Sequence, residues 1–110
     1  MFAVIYQGYV KTGQESEYQK AWNAVARYFV EKRGAIGSCL HRTNDGLWVA
    51  YSRWPDKATR DASWPQDGEV LAETLSSGIK SVIIALKNCI DKSQPYQEIC
   101  METVDDLMQT

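Results

Sequence analysis

Apolar and polar residues alternate from Phe2 to Val10, in a run rich in β-branched and aromatic side chains, and this period of two predicts a strand. Phe2, Val4 and Tyr6 fall on one of its faces, and Ala3, Ile5 and Tyr9 on the other. An antiparallel strand with one wet face shows polar residues at every second position. Bulk on both sides therefore predicts a strand covered on both. Thr12-Gly13 breaks the run, and the period changes to three and four: Tyr18, Trp22, Val25, Ala26 and Phe29 make one apolar stripe, the mark of an amphipathic helix. Glu15 and Glu17 suit the positive end of that helix, and Lys32-Arg33-Gly34 supplies a basic last turn and a stop.

Two further alternating runs, 36–43 and 47–54, flank Asn44-Asp45-Gly46, a strong hairpin signal. Pro55 ends the second run, and Asp56 is placed to cap a short helix through Ser63. After Pro65 and Gly68, the segments 69–76 and 78–91 read as one interrupted helix or two. Ile79, Val82, Ile83, Leu86 and Ile90 form a second stripe, with the break at Ser76-Ser77-Gly78. A last strand is expected over 95–103, where Glu98 and Glu102 interrupt an otherwise near-apolar run. The order strand, helix, strand, strand, helices, strand is that of an α+β domain, a ferredoxin-like split βαβ with helices on one face of an antiparallel four-stranded sheet. The bare face of such a sheet needs a cover, most simply the sheet of a second copy.

Composition narrows the functions open to this fold. At 110 residues one domain over 1–110 is expected. A net charge of −2, with basic residues scattered among acids, gives no footprint for nucleic acid or an anionic membrane. Cys39, Cys89 and Cys100 are an odd set without CxxC spacing, and His41 is the one histidine, so a structural zinc site lacks ligands. Reduced thiols and a cytoplasmic location are expected. The first eleven residues lack the basic region and cleavage site of a signal peptide, and no apolar run approaches the ~20 residues of a membrane span.

The chain resembles the antibiotic biosynthesis monooxygenase family of the dimeric α+β barrel superfamily. The resemblance rests on Tyr9 to Gly13 leading into the amphipathic helix, Gly37, the strand bearing Leu40-His41-Arg42, and the strand from Trp48 to Trp54 followed by Pro-Asp and a short helix. It implies two ferredoxin-like subunits paired sheet to sheet, each with a pocket between its sheet and its helices. It further implies oxygenation of aromatic polyketides, quinols or haem, often with no metal or flavin, since the substrate itself activates oxygen. Haem degradation requires a histidine on the segment after a tryptophan matching Trp64, and residues 65–74 contain none, so that branch is rejected.

The candidate residues each admit a second reading. Trp64 could stack on a planar substrate or anchor the short helix. His41 could accept a proton from a phenolic substrate, since imidazole titrates near neutrality, or be a hydrogen-bonded strand histidine. Cys39, two residues away, could share its face as a thiolate or as a small hydrophobe. Tyr6 and Tyr51, on strands expected to be neighbours, could bond a substrate hydroxyl or fill core. Arg42, Arg53 and Arg60 could steady an anionic enolate, or form surface ion pairs; Arg60 is the one counted with the substrate-binding set. Trp22 and Trp54 are read as core. The resulting expectation is a homodimeric, cofactor-independent monooxygenase acting on a small aromatic or quinol-like metabolite. The alternative is a dimeric small-molecule-binding or stress-related domain without catalysis.

Overall fold

Several of the described elements start or stop for a local reason. The computed structural model describes residues 1–63 and 77–107; Trp64 and the helix expected over 69–76 lie outside them. The first strand, β1 (Phe2–Gly8), ends two residues earlier than alternation predicts. Beyond it, Tyr9 O accepts from Asp91 N and Lys11 N donates to Cys89 O, both at 2.8 Å, so the segment after the last helix takes over the pairing. Helix α1 (Glu15–Lys32) carries Glu15 and Glu17 in its first turn and Lys32 in its last. Its chain is turned by Gly34 at φ +87°, a left-handed conformation that favours glycine. A Cβ there would also come within 3.1 Å of Thr59 Cγ2.

Strands β2 (Gly37–Arg42) and β3 (Trp48–Trp54) form the expected hairpin. Gly46 alone takes positive φ, at +90°, while Asp45 does not, so one glycine rather than an Asp-Gly pair makes the turn. Thr43 stitches it, donating through its backbone N to Leu47 O at 2.8 Å and accepting from Leu47 N at its Oγ1 at 3.0 Å. Helix α2 (Lys57–Ser63) is capped by Asp56, whose Oδ1 accepts from Thr59 N at 2.7 Å. Helix α3 (Ser77–Asn88) and strand β4 (Gln97–Glu102) complete the described chain.

The four strands form one antiparallel sheet in the order β2-β3-β1-β4, with β1 and β3 at its centre. With three helices among the described residues, this is the α+β, ferredoxin-like architecture. Phe2 and Val4 of β1, Trp54 of β3, Val25 and Phe29 of α1, and Ile79 and Ile83 of α3 lock together as the main core. Tyr18, Trp48 and Cys89 make a second cluster towards the hairpin end. None of the described helices is long and apolar enough to cross a membrane.

The register assigns the faces. Phe2, Val4 and Tyr6 lie opposite Trp54, Ser52 and Ala50 on the helix side, joined by Glu98 and Cys100 of β4. Ala3 and Ile5, with Val49, Tyr51 and Arg53, Ile99 and Met101, and Cys39 and His41, share the other side. The tail after β4 covers one end of that side: Arg53 pairs with Asp106 and donates to Met1 Sδ at 2.8 Å.

Candidate functional site

Between the sheet and α1 lies a cleft of about 90 Å³ walled by Tyr6, Trp22, Phe29, Trp54 and Tyr96, with Tyr18 and Leu86 also lining it. Its aromatic lining follows from two periods meeting. The three-and-four spacing of α1 points Tyr18, Trp22 and Phe29 down, while alternation along β1 and β3 points Tyr6, Ala50 and Trp54 up. Small residues Ala50 and Ser52 on β3, with Ser38 on β2, leave the space that larger side chains would fill. The cleft is smaller than the ~300–1,000 Å³ usual for drug-sized ligands, so a bound ring must displace part of its wall. Tyr96 is the wall best able to move, being 54% exposed and leaning on the backbone of Gly8, where a Cβ would come within 2.7 Å of its ring.

The polar end of the cleft is built at the Tyr6 hydroxyl. Arg60 of α2 donates from Nη2 to Tyr6 Oη at 2.8 Å, and the same nitrogen pairs with Glu98. Its Nη1 lies 3.4 Å from Asp61, which Lys57 holds at 2.6 Å. The Arg60 side chain is only 5% exposed, against 40% for that of Glu98. Its position is fixed because α2 is tied to the end of α1: Arg33 Nη2 donates to Ser63 O at 3.2 Å, and Ser63 Oγ donates to Arg33 O at 2.9 Å. Burial pushes the Tyr6 hydroxyl well above the ordinary tyrosine range, against the pull of Arg60, so it stays protonated. For Arg60 burial opposes the charge, but the contacts with Tyr6 and Glu98 outweigh it and keep the guanidinium cationic. Tyr18, raised to about 12 by burial and then by Cys89, stays neutral as well.

Of the residues singled out in the sequence, the fold brings Tyr6 and Arg60 together. Tyr51 borders the cleft between Ala50 and Ser52, but alternation puts its ring on the opposite face, across from Ile5 and Cys39. His41 is exposed on that opposite face at the edge strand β2, away from Tyr6 and Arg60, and Cys39 shares its exposure. Trp64 lies outside the described residues. Arg42 is placed over the Trp48 ring, 5.2 Å from its centroid, and Arg53 is held by Asp106. Trp22 and Trp54, read as core, both line the cleft, and Trp54 belongs to the core as well.

Glu98 and Tyr96 do not stand out in the sequence as site residues. The signal for Glu98 is a carboxylate within a near-apolar strand, which reads as an interruption until a buried cation is found opposite it. Among the described residues no three His, Cys, Asp or Glu side chains gather as metal ligands.

Comparison with known proteins puts the fold in a family. The antibiotic biosynthesis monooxygenase profile matches residues 1–64, more than half of the chain. SnoaB of Streptomyces nogalater, a cofactor-independent oxygenase, superposes with a TM-score of 0.70 at 15% identity, covering 98% of this chain and 97% of that one. Rv0793 of Mycobacterium tuberculosis superposes at 0.69 with 14% identity, covering 97% and 98%. A conserved protein of Methanosarcina mazei gives 0.65 at 15% identity, with 89% of each chain covered. A comparison with curated protein sequences gives no match. At these identities the solved structures speak for the fold, and the profile match for the family: the chain belongs to the antibiotic biosynthesis monooxygenase family.

Proposed function

We propose that this protein oxygenates a small planar aromatic or quinol-like metabolite in the cleft between sheet and helices, without metal or flavin. The observation that carries the reading is a buried, fixed cation bonded to a protonated tyrosine at the polar end of an aromatic-walled slot. Rings stack on aromatic walls. A ring hydroxyl directed to Tyr6 places its oxygen where Arg60 balances the negative charge that gathers as the substrate loses a proton. Such a preorganised charge acts strongly in a water-poor site. The resulting carbanion passes its electrons to dioxygen and, once the proton is returned, forms a C–O bond as a hydroperoxide; loss of water then leaves a carbonyl, so one oxygen atom enters the substrate and the other leaves as water. His41, expected as the proton acceptor, stands on the other face of the sheet; Glu98, held at the same spot as Arg60, is the acceptor this geometry offers.

The second reading is a binding domain without catalysis. It is favoured by the way Tyr6, Arg60 and Glu98 engage one another in the resting protein. Oxygen uptake decides between the two. With chelator present, the protein is expected to consume oxygen on a panel of quinols, anthrones and polyphenols; no uptake across the panel would leave the binding reading.

The working unit in this proposal is a homodimer in a reducing, cytoplasmic compartment. Its support is the sheet face away from the helices, where Ile5, Val49, Ile99 and Met101 lie together. Monomers rarely expose apolar patches beyond a few hundred Å². Sedimentation at micromolar concentration is expected to give twice the 12.5 kDa chain mass, and a persistent monomer would remove the barrel assembly.

A further inference from the structure

We propose that Glu98 sets the ligand charge this cleft accepts: it selects neutral hydroxyl-bearing rings and rejects rings that carry a carboxylate at the same position. The inference rests on the cleft reading above and deepens it. Arg60 alone would make the polar end an anion receptor, since guanidinium pairs readily with carboxylates. The described residues around it cancel that charge. Arg60 and Lys57 supply two cations, Glu98 and Asp61 two carboxylates, and all four are linked through Arg60–Glu98, Arg60–Asp61 and Lys57–Asp61 contacts. An anionic ligand group therefore meets no net attraction and must displace Glu98 to reach the guanidinium.

Hydrogen-bond capacity points the same way. Glu98, opposite Tyr6 on the neighbouring strand and paired with the guanidinium that bonds the Tyr6 hydroxyl, brings a pure acceptor to this end of the cleft. A hydroxyl both donates and accepts, so it can give its proton to Glu98; a carboxylate only accepts and would face Glu98 acceptor to acceptor. Like charges brought together at a recognition site are a means of rejecting the wrong partner.

The test is binding under nitrogen at neutral pH, followed by quenching of tryptophan fluorescence, since Trp22 and Trp54 line the cleft. The probes are a naphthol and the naphthoate of the same ring. The wild type is expected to hold the naphthol at least about tenfold more tightly, and Glu98→Gln to shrink that preference by about tenfold or more, as removal of one repelling charge at close range should. Glu98→Ser carries the same expectation should the glutamine variant not fold, and the wild-type ratio needs no variant. Equal affinity for both probes in the wild type, or an unchanged ratio in a folded variant, would overturn the assignment of Glu98 while leaving the cleft reading standing. Binding of neither probe would remove both.

Discussion

Replacement of Arg60 by methionine is expected to lower oxygen uptake by about 10²–10³-fold, the usual loss when one preorganised stabiliser of transition-state charge is removed. Methionine keeps much of the buried stem's volume, so the loss reports on charge rather than on packing. The fold should survive the change: Glu98, 40% exposed, can turn to water once its partner is gone, so little buried charge is left stranded. Arg60→Lys keeps the charge but not the planar fork that reaches Tyr6 and Glu98 together, and should recover only part of the rate. His41→Ala is the matched control. From an exposed position on the opposite face its removal should leave turnover within a small factor of wild type, and a collapse of the rate there would return the proton-acceptor role to His41.

The second large effect is on stability. Phe29→Ala should cost about 3–5 kcal/mol, read from the urea midpoint of unfolding. Phe29 is 4% exposed, and its ring meets Trp54 edge-on at 6.2 Å and Tyr28 at 5.5 Å, so truncation opens a hole where helix α1 crosses the centre of the sheet. Against a total stability of about 5–15 kcal/mol this is a severe loss. Trp22→Ala should cost much less, because that ring stands half-buried in the cleft wall, and its loss should appear in ligand affinity instead. Equal destabilisation by the two would mean that the cleft is filled core.

The elements legible in the sequence are those with a local cause. Asp56 ahead of a polar turn of helix, Gly34 after a basic end and Gly46 between two alternating runs each act within a few residues, and the structure places the cap and both turns there. The stripe from Tyr18 to Phe29 likewise follows from one period, although a stripe cannot tell core from cleft wall, which is why Trp22 reads as core in the sequence alone. What the sequence does not show is parity between strands. Tyr6 and Tyr51 are expected on neighbouring strands, and they are there, but the register sets Tyr6 across from Ala50 and Tyr51 across from Ile5, on opposite faces. The same shift of one residue takes His41 away from the cleft. The Arg60–Glu98 pair joins positions 38 residues apart and exists only because β4 closes against β1 beneath α2, a tertiary fact with no local trace.

The most direct measurement is a crystal structure of the protein with a bound naphthol. The ring is expected to lie between α1 and the sheet, against Trp22 and Trp54, with Tyr96 displaced and the hydroxyl within hydrogen-bonding distance of Tyr6 or Arg60. A ring seated instead on the opposite face of the sheet, beside His41 and Tyr51, with the cleft closed, would contradict it.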